Sequence, residues 1–194
     1  YKRQDTNNGK NLIIREVAKK YITTFIESEI EDINKGNEII IRSLEKSIST
    51  LINIPGINYP IKLKGMVDRI DEYNGTTRII DYKTGKVEQT NTTVTDWELI
   101  LSDYKKYSKS FQILTYVYML NKESNINLPV EGGIISFRNT KEGFIKFNKK
   151  ETSRNRTKET SINQETLHNF ESELFKLIWE IHNPEIPFTE KEVD

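Results

Sequence analysis

Asn74-Gly75 stands between two strand-like runs, Ile61 to Tyr73 and Thr77 to Lys83. Asn-Gly supplies the two positive-φ residues of a type I′ turn, so the pattern predicts a β-hairpin. A loop centred on this dipeptide, whether two or four residues long, fixes the pairing: the numbers of directly opposed residues sum to 149. Asp68 then faces Asp81. Opposed residues share a face, with Cβ atoms about 4.5–5.5 Å apart. Two unit charges ~5 Å apart at an effective dielectric of ~20 repel by about 3 kcal/mol. A divalent cation removes that penalty, because carboxylates from two strands are the oxygen ligands that Mg²⁺ takes. Period-two alternation puts Lys83 on the same face as Asp81. The same register pairs Asp71 with Arg78, an ion pair that needs no function. Spacing alone leaves a second reading of Asp68, Asp81 and Lys83 open, a solvated hairpin face whose charges diverge.

Around the hairpin the chain alternates helical and strand patterns. Residues 10–34 carry Ile14, Ala18, Tyr21, Phe25 and Ile22, Ile26, Ile30, Ile33 at three- and four-residue steps, which predicts a helix with one buried face. Asn34-Lys35-Gly36-Asn37 ends it. Residues 38–54 suit either a strand, from Glu38-Ile39-Ile40-Ile41, or a helix. Pro55 and Pro60 bracket a loop. Residues 86–109 read as polar and irregular, anchored by Trp97, Leu99 and Leu101, and Phe111 to Leu120 reads as a helix. Val130 to Phe137 with Gly143 to Phe147 reads as a second strand pair. Ser161 with Gln164 can form a capping box that opens a helix striped by Leu167, Phe170, Leu174, Leu177, Ile178 and Ile181. Strands in the middle, with helices before, between and after them, indicate an α/β layered domain.

Composition excludes several functions. Fifty-four of the 194 residues are Leu, Ile, Val or Phe, enough to build a core. Lys+Arg and Asp+Glu both number 29, so no global field draws the protein to nucleic acid or to an anionic membrane, and any polyanion site is local. Without cysteine there is no disulfide, thiolate zinc site or cysteine nucleophile, which fits a reducing, cytoplasmic compartment. His168 and His182 lie on one predicted helix, roughly 21 Å apart along its axis, too far to share a metal, and on this structural C-terminal helix they read as packed or solvated rather than as members of a Ser-His-Asp site. No apolar run reaches membrane-span length and no signal peptide opens the chain. No P-loop motif is present. The chain starts at Tyr1 without Met, so it is expected to be a piece of a longer protein.

Three motifs in order carry a resemblance. Gly65-Met66-Val67-Asp68-Arg69-Ile70-Asp71, Ile79-Ile80-Asp81-Tyr82-Lys83-Thr84-Gly85-Lys86 and Gln112-Ile113-Leu114-Thr115-Tyr116 resemble the G-x-x-D-R-I-D, I-D-Y-K-T-G and Q-x-x-x-Y series of the RecB/AddB-like branch of the PD-(D/E)XK nucleases. The resemblance implies a mixed central β-sheet flanked by helices, a restriction-endonuclease-like core. It implies one nuclease-like domain over residues 1–194, at the C-terminal end of a helicase–nuclease or helicase-remnant repair protein. It also implies Mg²⁺- or Mn²⁺-dependent hydrolysis of DNA phosphodiesters in recombination and repair, with a helicase domain or subunit as partner. Asp68 and Asp81 match the metal ligands, with the Tyr82 carbonyl as a further one. Lys83 matches the residue that positions or polarises the attacking water, and Gln112 and Tyr116 match a pair that reaches the metal site or the DNA. An upstream helix usually adds a His or Glu ligand. Glu16, Glu27 and Glu29 stand in no matching motif, so that ligand is expected to lie outside this sequence. The missing ligand keeps an inert nuclease-fold module, binding DNA or scaffolding a helicase, as the alternative.

Two basic stretches offer a phosphate track. Lys105, Lys106 and Lys109 precede Gln112 with Tyr104 and Tyr107 interleaved. Lys141, Lys146, Lys149, Lys150, Arg154, Arg156 and Lys158 outnumber Glu142 and Glu151. A charge run of this kind also suits a solvated loop.

Overall fold

A 14-residue strand, β1 (Ile39–Ile52), settles the ambiguous segment after the first helix. Its β-branched residues pair antiparallel with β2 (Ile61–Tyr73) from Ile39 opposite Tyr73 to Ile52 opposite Ile61. The computed structural model describes residues 8–150 and 158–189, so Arg154 and Arg156 of the predicted basic stretch lie outside the described residues. β2 turns into β3 (Thr76–Lys83) through Asn74 and Gly75 alone, at φ +49° and +79°. Asp71 is paired with Arg78 and Arg69 with Ile80, the register that the turn predicts.

The main sheet has the order β1-β2-β3-β5-β6, where β5 is Glu131–Ser136 and β6 is Phe144–Lys146. β3 and β5 run parallel, and every other pair in this sheet is antiparallel. A parallel pair needs a long crossover, here supplied by α2 (Tyr104–Ser124). This mixed sheet flanked by helices is the expected fold class. Thr93–Val94 (β4) and Asn148–Lys149 (β7) form a separate two-stranded patch that the sequence pattern did not reveal.

Helix α2 starts seven residues before the predicted Phe111. Asp103 caps it by accepting from the Lys106 N–H at 3.0 Å. Lys105, Lys106 and Lys109 therefore sit within the helix rather than in a loop before it. Ile113, Leu114, Val117, Met119 and Leu120 of α2 are buried in the core. Helix α3 (Gln164–His182) opens at Asn163, whose side chain accepts from the Thr166 N–H at 2.8 Å. Ser161 does not form the predicted box, because Ile162 is held in an extended bridge with Val130 and the helix starts after it. Leu167, Phe170, Leu174 and Ile178 of the predicted stripe are buried, whereas Ile181 is exposed. In the 86–109 segment Val87, Val94, Ile100 and Tyr107 are the buried anchors. Trp97 and Leu101 pack against the core, while Leu99 is exposed.

The first helix, α1 (Gly9–Asn34), corrects a larger expectation, because it buries none of its residues. Ile22, Ile26, Ile30 and Ile33 are each about half exposed. The face that docks is the one carrying Phe25, Glu29 and Asp32. Phe25 meets the rings of Tyr82 and Phe137 edge-on, at 5.7 and 5.6 Å. Glu29 pairs with Arg69 at 2.7 Å, and Asp32 accepts from the Tyr73 hydroxyl at 3.1 Å.

Two consecutive glycines let β5 be approached from both sides. A Cβ on Gly132 would stand 2.5 Å from Ile113 Cγ2, and one on Gly133 would stand 2.5 Å from the Ile145 carbonyl oxygen. A side chain can yield and a paired strand's carbonyl cannot. Gly133→Ala is therefore expected to lose about 3 kcal/mol in urea unfolding, the top of the overpacking range. Gly85→Ala, with nothing within 4 Å of the new Cβ, should change stability by less than about 0.5 kcal/mol.

Candidate active site at the end of strand β3

Asp81 and Lys83 lie at the carboxyl end of β3, beyond its last pair with β2 and still paired with β5 opposite Ile134 and Ser136. Ligand sites in sheets with parallel strands favour this end. The turn that follows is pinned from the far side. Ser136 Oγ donates to the Gly85 carbonyl at 2.8 Å, and Asn139 Nδ2 donates to the Val87 carbonyl at 2.7 Å.

Asp81 is 4% exposed. Gln112 Nε2 donates to its Oδ1 at 3.0 Å, and Lys83 Nζ stands 2.9 Å from its Oδ2 without the alignment of a hydrogen bond. The Gln112 side chain completes a ring: its Oε1 accepts from Lys83 at 2.9 Å, and its Nε2 also donates to the Tyr116 hydroxyl at 2.8 Å. Asp81, Lys83, Gln112 and Tyr116, distant in sequence, thus form one connected cluster. Burial raises the Asp81 carboxyl above the ordinary aspartate range. The Lys83 ammonium opposes the shift and the charge of Asp68 adds to it.

Asp68 reaches the site by another route. The β2–β3 ladder ends at the Arg69–Ile80 pair, and one position further Asp68 Oδ2 accepts from the backbone N–H of Tyr82 at 2.8 Å. Asp68 and Tyr82 line an open hollow of about 540 Å³ together with Leu44 and Glu45. Glu45 lies between the Leu44–Arg69 and Lys46–Val67 pairs, level with Asp68, at a left-handed φ of +47°. Sequence reasoning missed Glu45, since nothing before the hairpin gave the register of β1.

The oxygen donors suit a hard divalent cation. Asp81 Oδ2 is a buried carboxylate oxygen with no hydrogen bond, and Asp68 has one oxygen left after the Tyr82 bond. The set is partial: among the described residues, no three acidic or histidine side chains converge as a metal site. Glu29 is committed to Arg69, and Glu16 to Arg15 and Lys19. Glu27 is exposed, as are His168 and His182 on α3.

The basic residues divide into two groups. Lys105, Lys109, Gln112 and Tyr116 recur at i, i+4, i+7 and i+11 of α2, one stripe of the helix. Lys106 lies off the stripe, with Nζ 3.4 Å from Thr95 Oγ1 and over the Tyr107 ring. Lys149 and Lys150 border a hollow of about 270 Å³ with Thr95 and Trp97, so they gather with Lys106 around the β4 segment. Lys149 is also paired with Glu165 at 3.2 Å.

A comparison with protein families matches residues 3–192 to the PD-(D/E)XK nuclease superfamily. The chain belongs to this superfamily. No curated protein matches it. Among the described residues of this PD-(D/E)XK chain, no helix is long and apolar enough to cross a membrane. The acidic pair and lysine of the β2–β3 hairpin follow the Asp … Asp-x-Lys order for which such nucleases are named.

Because the native Asp81 pKa is raised, the unfolded chain releases this proton first as pH rises. Stability therefore falls on crossing upward from the ordinary aspartate pKa toward the native one. In metal-free buffer at pH 7, Asp81→Ala should melt at or above wild type, by up to a few degrees. The difference should vanish in melts below about pH 3, where the carboxyl is protonated in both states.

Proposed function

We propose that this superfamily member is a divalent-metal-dependent deoxyribonuclease of the RecB/AddB-like branch, exonuclease-like, serving recombination and repair beside a helicase domain or subunit in the cytoplasm. The observation that carries the reading is the buried Asp81 carboxylate, held by Lys83 and Gln112, with Asp68 one ladder position beyond the last β2–β3 pair. A hairpin under selection for stability alone gains nothing from a buried acid next to a second acid.

Asp68, Asp81 and the Tyr82 carbonyl would hold Mg²⁺ or Mn²⁺, which when bound acts as a Lewis acid on a phosphoryl oxygen. Lys83 supplies fixed positive charge where the phosphate accumulates negative charge in the transition state, and it is placed to orient the attacking water. Gln112 keeps the Lys83 ammonium and the Asp81 carboxylate in fixed relation, and Tyr116 holds the Gln112 amide. Lys109 and Lys105 lie about 4.5 and 10 Å along the helix from Gln112 by the helical rise. They continue the stripe as contacts for flanking phosphates, and Lys106, Lys149 and Lys150 serve a more distant part of the DNA. The partial ligand set favours a second reading, an inert nuclease-fold module that binds DNA or scaffolds a helicase.

Cleavage assays separate the two. Asp81→Ala should abolish Mn²⁺-dependent cleavage of DNA while the fold is retained, and Lys83→Ala should keep Mn²⁺ binding by calorimetry yet lose turnover by at least about a hundredfold. Metal-dependent cleavage that survives Asp81→Ala would end the assignment of the site. A wild-type protein, within its full-length chain, that binds DNA but never cuts it would establish the inert reading.

The phosphate track is tested without metal. Lys109→Ala should weaken DNA binding by fluorescence anisotropy and reduce the slope of log affinity against log salt by about 1. An unchanged slope would remove Lys109 from the track.

A further inference from the structure

Asp71 is fully buried and already satisfied by Arg78, which donates to it twice, from Nε to Oδ1 and from Nη2 to Oδ2, both at 2.8 Å. That pair closes the charge balance of the hairpin face. Yet a second guanidinium, Arg69, is buried beside it at 2% exposure, with Nε 2.7 Å from Asp71 Oδ2. A surplus buried cation is costly unless neutralised, and the neutralising charge comes from another element, Glu29 of α1, at 2.7 Å from Nη1. The same Nη1 donates to the Tyr82 hydroxyl at 3.3 Å. The Tyr82 ring stacks on Phe137 at 5.3 Å and meets Phe25 of α1 edge-on. At its other end, the Tyr82 backbone N–H holds Asp68.

We infer that Glu29 and Arg69 are positioning residues for the acidic site: they lock Tyr82 beneath α1 and, through its backbone N–H, fix the Asp68 carboxylate. The inference rests on the proposed role of Asp68 as a ligand. The contacts themselves join α1 to one face of β3 and the metal site to the next residue's face. Because α1 buries no residue of its own, the helix is held over Tyr82 by the Glu29–Arg69 pair together with the Phe25 ring contacts and the Asp32–Tyr73 bond. The outcome is a lever: with β5 still paired to Tyr82 on one side, loss of the helix contact loosens the other side, where the Tyr82 N–H is the fixed donor to Asp68.

Amide hydrogen exchange of the metal-free protein reads this lever directly, without cleavage. In Glu29→Ala, exchange at Tyr82 should rise at least tenfold relative to Ile79 and Ile80 of the same strand. Glu29→Gln, which keeps an oxygen for Arg69, should stay closer to wild type. Tyr82→Phe keeps ring and backbone, removes only the hydroxyl, and should show a smaller rise at the same amide. Titration with Mn²⁺ alone should show about tenfold weaker binding in Glu29→Ala, and cleavage should lose kcat with KM for DNA unchanged. Exchange at Tyr82 that is unchanged, or that rises equally with Ile79 and Ile80, would overturn the inference by reducing Glu29 to an anchor of the helix. Mn²⁺ affinity equal to wild type in Glu29→Ala would overturn it as well. A wild-type protein that neither binds Mn²⁺ nor cleaves would refute the nuclease reading, and with it the functional half of this inference. The exchange result would still decide whether Glu29 controls Tyr82.

Discussion

Burial of the Asp81 charge is the constraint around which the middle of this fold is organised. A carboxylate with almost no access to water must find its solvation in protein dipoles and charges. Here one oxygen receives the Gln112 amide and the other the charge of Lys83. Those contacts require α2 to lie against the end of β3, which the parallel β3–β5 pair and its helical crossover accomplish. Gly132 allows the required closeness, since any side chain there would meet Ile113. The packing of a helix on a sheet is thus coupled to the solvation of one acid.

Strand β3 presents different chemistry on its two sides. Asp81 and Lys83 turn to α2, while Arg78 and Tyr82 join the ionic and aromatic cluster with Arg69, Asp71 and α1. The first set keeps its charges at the rim of the sheet, with Lys83 partly exposed. The second is shut in: Arg69, Asp71 and Arg78 are all buried, and the guanidinium of Arg78 lies 4.3 Å from the centre of the Tyr73 ring. The shut-in cluster tolerates no loss of a partner. Removing one partner strands a charge, a loss of about 3–5 kcal/mol for a fully buried pair.

How far the sequence discloses this depends on the range of the interaction. The hairpin register was readable because a two-residue turn fixes it locally, and it correctly put Asp71 against Arg78. The meeting of Gln112 with Asp81 and Lys83 depends on long-range packing and was legible only through the resemblance of three motifs. Helix α1 was misread because four isoleucines at helical spacing look like a core face, whereas the docking face is held by Phe25, Glu29 and Asp32. The start of α2 was hidden by a Lys- and Tyr-rich first turn without apolar periodicity, although Asp103 was a legible cap. Glu45 was beyond reach, since an eight-residue connection between β1 and β2 leaves their register undetermined.

The strand order leaves β1 at one edge of the main sheet, and a regular edge strand of 14 residues would be a template for pairing with another chain. Its pairing with β2 shifts between Ile41 and Ser43, and Glu45 then turns left-handed, so the outer row of backbone donors and acceptors is broken within its first half. Charged residues Arg42, Glu45 and Lys46 occupy the same stretch. The irregularity that sets Glu45 level with Asp68 therefore also spoils the edge for a strand from a neighbouring molecule, and the rim of the Asp68 hollow doubles as protection against aggregation.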